Sequence, residues 1–121
     1  MGVVAAENVN GIDFNIPDGY TFNSSNLGIK PIVTASGSTN TLNGAVNTYV
    51  NGNEKIRISV FHLDSPLTLD DLHSSGEKKT INGKEGHLIN LTNTVNFEYL
   101  DNGYLITVEC PSSVSLESII I

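Results

Sequence analysis

Tryptophan is absent from this chain, methionine and cysteine occur once each, and six basic residues stand against thirteen acidic ones. Each shortage closes something off. With Cys110 alone, no intramolecular disulfide can form, so any fold rests on its apolar core. The bases are also scattered: no window is denser than Lys55-Ile56-Arg57 or Lys78-Lys79. Duplex binding depends on neutralising phosphates, so a formal charge of −7 argues against nucleic acid as a partner, and against an anionic membrane surface. No apolar run approaches the roughly eighteen residues of a membrane-spanning helix, so no membrane insertion is expected of this segment. Charged residues make up only 16% of the chain. The polarity comes instead from Asn, Ser, Thr and Gly, which favour turns and exposed strand faces over helix interiors. At 121 residues the chain is one domain, long enough to bury a core without metal or disulfide staples.

What is present in excess is Asn-Gly. Five glycines follow an asparagine, at Asn10-Gly11, Asn43-Gly44, Asn51-Gly52, Asn82-Gly83 and Asn102-Gly103, and three of these steps lie between strand-like runs. A type I′ turn needs φ > 0 at both central residues, which Asn tolerates and Gly prefers, so these steps predict hairpins. Around Asn102-Gly103, a two-residue loop pairs Asp101 with Tyr104 and Leu100 with Leu105. Phe97, Tyr99, Tyr104, Ile106, Val108 and Cys110 then share one face. A three-residue loop would put Glu98 beside Ile106 and Val108 and spoil the pattern, so the two-residue register is expected. The same test places Ala45, Tyr49, Ile56, Ile58, Val60 and His62 on one side of a second pair. Around Asn82-Gly83 it pairs Ile81 with Lys84, Thr80 with Glu85 and Lys78 with His87. Gly86 in the returning strand signals a bulge or a close backbone approach.

Elsewhere, Ile12, Phe14 and Ile16 alternate before the turn residues Pro17-Asp18-Gly19. Residues 28–36 read as a strand, with Pro31 placing it at a sheet edge. Residues 37–44 read as a polar loop. In "SPLTLDDLHSSG", Thr68 with Asp71 three residues on, or Ser65 before Pro66, predicts a short middle helix. The tail "SSVSLESIII" predicts a short C-terminal helix, with an extended ending as the alternative. The expected architecture is therefore α+β: a mainly antiparallel sheet of hairpins with the two helices on one face. Residues 1–8 are expected to be a flexible N-terminus and 9–121 a single domain. Val3-Val4-Ala5-Ala6 before Glu7 reads either as the end of a signal peptide or as an ordinary floppy terminus.

Candidate chemistry is sparse. His62 and Asp64 share a face if their strand continues, and His73 follows closely, so these three are the candidate metal or hydrolytic residues. Neither H-E-x-x-H nor paired C-x-x-C occurs, and no serine sits in a G-x-S-x-G setting. Cys110 points to the apolar face, which predicts a buried, inert thiol; the alternative, if the sheet is open there, is an exposed thiol that links two chains. No catalytic, metal or cofactor-binding residue is assigned, and no cofactor is expected.

The stretches "IDFNIPDGYTFN", "LTLDDL", "INGKEGHLI" and "FEYLDNGYLITVECP" together resemble a family of small, uncharacterised, exported or membrane-tethered proteins of methanogenic archaea. The second half is distantly similar to an uncharacterised domain of bacterial membrane-anchored proteins. The resemblance implies an extracytoplasmic setting and an α+β fold, and it supplies no site residues. The reading is a non-enzymatic binding or interaction domain of the cell envelope, monomeric or weakly dimeric, whose partner is a protein or a small ligand. The alternatives are a small hydrolase or metal-dependent enzyme using His62, Asp64 and His73, and a self-associating component that pairs through an edge strand near residues 29–35.

Overall fold

The computed structural model describes residues 5–34, 37–72 and 75–121. They form nine antiparallel strands: β1 (Ala5–Val9), β2 (Ile12–Ile16), β3 (Thr21–Val33), β4 (Thr39–Asn51), β5 (Glu54–His62), β6 (Glu77–Ile81), β7 (Lys84–Asn90), β8 (Thr94–Asp101) and β9 (Tyr104–Pro111). β1 and β2 are a separate hairpin, while the other seven make one sheet in the order β3-β4-β5-β9-β8-β7-β6. Two meanders, β3-β4-β5 and β6-β7-β8-β9, are thus joined side by side through β5 and β9.

The Asn-Gly steps set this register. Asn10, Asn82 and Asn102 all have φ near +50°, and each is followed by a glycine with positive φ, as a type I′ turn requires. Asp101 pairs with Tyr104 and Leu100 with Leu105, so the two-residue register holds. Ile81 pairs with Lys84 and Lys78 with His87. At Asn51-Gly52 the loop instead falls one residue later, on Gly52-Asn53, so Asn51 pairs with Glu54 and Tyr49 with Ile56 while the same side chains still share a face. At Gly86 the close approach is real: a Cβ there would drive into the Phe97 ring and the Glu98 carbonyl.

One sheet face carries Tyr49, Ile56, Ile58, Val60, Phe97, Tyr99, Ile106, Val108 and Cys110. The β1–β2 hairpin covers it with Val9, Phe14 and Ile16, and the chain end adds Leu116, Ile119 and Ile120. Full burial of side chains this size contributes roughly 1.5–3 kcal/mol each, so this layer is the main source of stability. The opposite face holds a smaller cluster of Ile32, Leu42, Phe61 and Leu105, over which the β5–β6 link lays Leu63, Leu67 and Leu72. At that end the sheet curls. Lys30 on β3 and Glu98 on β8 are four strands apart, about 19 Å in a flat sheet, yet Lys30 Nζ lies 3.4 Å from Glu98 Oε2.

The expected α+β class is overturned: the protein is almost entirely antiparallel β. The middle helix is a single 3-10 turn over Leu69–Asp71, and the terminal helix another over Leu116–Ser118. Of the two starts open to the sequence, Ser65 before Pro66 or Thr68 with Asp71, the turn forms at Thr68, whose N–H donates to Asp71 Oδ2 at 2.8 Å. It starts a turn but cannot extend it, because Leu63, Leu67 and Leu72 are needed flat against the sheet and Leu72 bridges Thr34. At the chain end, Ile120 bridges Phe14, and Ile119 O accepts from Asn15 N–H at 2.9 Å. Those partners hold the β-branched residues in place instead of a helical repeat. Two boundaries also move. Residues 39–44, read as a loop, open β4, and residues 5–8, read as a floppy terminus, lie in β1.

Candidate functional site

The β1–β2 hairpin is narrower than the sheet beneath it. Its turn is anchored to the sheet by Asn10, whose Nδ2 donates to Val60 O at 3.2 Å on β5. Beyond that anchor, β4 and β3 lose their cover. Along β3 the odd residues Leu27, Ile29, Pro31 and Val33 share the hairpin-side face, an alternation that normally marks a buried strand face. Here it is bare: Leu27 is 94% exposed and Ile29 71%.

Beside this row lies an open hollow of about 780 Å³, lined by Asn10, Leu27, Ile29, Asn43 and His62, with Gly28 and Gly44 in its wall. The two glycines pair across β3 and β4, and the Phe61 ring packs against both from the other face. A Cβ at Gly44 would collide with the Val60 carbonyl and Phe61, so only glycine fits where these backbones close up.

β3 is also an outer strand, 13 residues long and carrying a single charge, Lys30. The Thr34 N–H bonds to Ser38 O at 2.8 Å on the β4 side. Antiparallel pairing alternates, so even-numbered residues after the bulge between Phe22 and Ser24 turn their backbone groups toward β4. Ser25, Leu27 and Ile29 turn theirs outward, and Pro31, with no N–H to offer, sits at the same outward parity. The opposite edge differs. β6 has five residues, among them Glu77, Lys78 and Lys79, the charged and short form that resists pairing.

The sequence-derived candidates stand apart from such chemistry. His62 lies at the end of β5 with its side chain 63% exposed; Nδ1 is 3.8 Å from Asp64 Oδ1, and its ring meets Tyr104 edge-on. His73 lies outside the described residues. Among the described residues, no three His, Cys, Asp or Glu side chains are grouped to hold a metal ion. His62 thus joins the surface as a wall of the hollow. Cys110 is buried, its Sγ donating to Val114 O at 3.8 Å, and burial with the nearby Glu109 carboxylate pushes the thiol up to about 11.

A second polar group lies on the far face. His87 Nδ1, Asn96 Oδ1 and Thr107 Oγ1, on the adjacent strands β7, β8 and β9, are buried without a protein partner. They flank Glu98, whose carboxylate is held by Lys30. No helix among the described residues is long and apolar enough to cross a membrane.

The edge was partly visible beforehand, since Pro31 marks it. A strand begun at Gly28 leaves Leu27 out, whereas β3 starts seven residues earlier, at Thr21. The available signal was charge: residues 19–53 contain no acid and one base in a chain with thirteen acids. Comparison with protein-family models, curated proteins and solved structures finds no match.

Proposed function

We propose that this chain is a non-enzymatic interaction domain of the cell envelope, on its extracytoplasmic side, that takes up an extended polypeptide along β3. The supporting observation is the long, nearly uncharged outer strand with Leu27 and Ile29 bare beside a hollow. Strand addition draws affinity from backbone hydrogen bonds and specificity from pockets that receive alternate side chains. The outward groups of Ser25, Leu27 and Ile29 offer the first, and the hollow between Leu27, Ile29 and His62 offers the second. The extracytoplasmic setting rests on the resemblance to exported archaeal proteins.

Titration of isotope-labelled protein with extended peptides of alternating apolar and polar residues tests this reading. Amide shifts are expected at Leu27, Ile29, Asn43 and His62. Shifts confined to the far face around His87, or none with any peptide, would count against it. The contact between His62 and Asp64 favours one rival, a small hydrolase or metal-dependent enzyme that also uses His73. That rival requires turnover or metal uptake that His62→Ala abolishes.

A further inference from the structure

We infer that the strand taken up on β3 is β3 of a second copy of this chain, paired antiparallel about a two-fold axis at Gly28. This rests on the strand-addition reading and names its partner. The register follows from parity. An outward-facing residue must meet an outward-facing residue, so odd positions oppose odd positions. With the axis at Gly28, Leu27 of one copy faces Ile29 of the other, and each such pair exchanges two backbone hydrogen bonds.

The four exposed side chains then form one apolar cluster across the junction, on the face where Leu27 and Ile29 are bare. Gly28 meets Gly28 of the second copy with no side chain to separate the strands. Lys30 comes opposite Asn26, so no like charges face one another, and the ammonium of Lys30 stays with Glu98. Pro31 faces Ser25, which loses one donor at each end of the pairing and limits it to the stretch from Ser25 to Pro31.

Charge selects this contact over other approaches of two copies. A net charge of −7 repels two copies, and residues 19–53, which include all of β3, bring no acid to this junction. Size sets the strength. Seven residues make a strip roughly 24 Å long and one sheet, about 10 Å, deep. Over both copies such a strip covers roughly 500 Å², well below the roughly 1,200 Å² at which stable interfaces begin. The dimer is therefore weak and reversible, and added salt strengthens it by screening the repulsion between the remaining acidic surfaces.

Sedimentation of the full chain over a wide dilution series is the test. The weight-average mass should rise toward twice that of the chain, and rise further with sodium chloride. Leu27→Lys with Ile29→Lys should hold it at one chain, and exposure at both sites leaves the fold intact. Thr80→Lys on the opposite edge should change nothing. Amide exchange supplies the register: Leu27 and Ile29 become protected only at high concentration, while Gly28 and Lys30 are protected throughout. A single-chain mass at every concentration overturns the inference, as does association that survives the two lysines. If that monomer still takes up an unrelated extended peptide on β3, only the second copy is lost. If it takes up none, the strand-addition reading falls with it.

Discussion

Cys110 illustrates how a single side chain records its surroundings. It sits between Val108 and the chain end with no exposed surface, and its thiol is raised from an ordinary 9.0 to about 11 by burial first and Glu109 second. A raised pKa means the folded state favours the protonated form. That stability is fully present below pH 9 and is lost as pH rises toward 11, because only the unfolded chain ionises freely in that window. Burial of Tyr99 raises its phenol in the same direction, at still higher pH. Thermal melts from pH 8 to 11 should therefore fall steeply, and Cys110→Ala should flatten the first part of that fall by about 2 kcal/mol. In the native protein the thiol should not react with a disulfide reagent near pH 8, whereas urea should release it. Rapid labelling of the folded protein would contradict the burial.

At the scale of elements, hairpins are made by turns and then locked by what crosses between strands. Gly86 and Phe97 are one such lock: the ring on β8 lies against the bare Cα of β7. Gly86→Ala should cost about 1–3 kcal/mol in urea unfolding, as overpacking does. In a Phe97→Ala background the same change should cost less, since the ring is gone and only the Glu98 carbonyl still obstructs. Equal costs in both backgrounds would show that the backbone contact alone makes glycine necessary. The two outer strands show a different contrast. β6 is short and charged, while β3 is long and carries only Lys30, so the fold protects one edge and leaves the other available.

For the whole molecule, the decisive feature is a cover that does not reach across its sheet. Phe14 on β2 is 1% exposed and bridges to Ile120, so the hairpin and the chain end form a single lid over β5, β9 and β8. Phe14→Ala should lower stability by about 3–5 kcal/mol. It should do so in one cooperative urea transition, because the lid and the sheet share one core. A separate early transition would instead make the hairpin an independent unit. Lysine at Leu27 or Ile29 should change stability by no more than about 0.5 kcal/mol, since both side chains are largely exposed within one copy.

Turn chemistry is local, and the amino-acid sequence determined it alone. At Asn10-Gly11, Asn82-Gly83 and Asn102-Gly103, Asn followed by Gly sets positive φ at two successive residues, and with the period-two alternation this specifies which side chains share a face, down to the pairing of Leu100 with Leu105. The edge position of Pro31 follows in the same way, from a missing N–H. Helix content did not follow. Thr68 and Asp71 form their capping contacts in the structure, but helix growth beyond one turn depends on partners distant in sequence, and here Phe61 and Leu105 draw the leucines flat. Which apolar face stays bare was equally undecided. Leu27 and Ile29 follow the same alternation as Ile56 and Ile58, and only the width of the hairpin above them leaves one pair buried and the other in water.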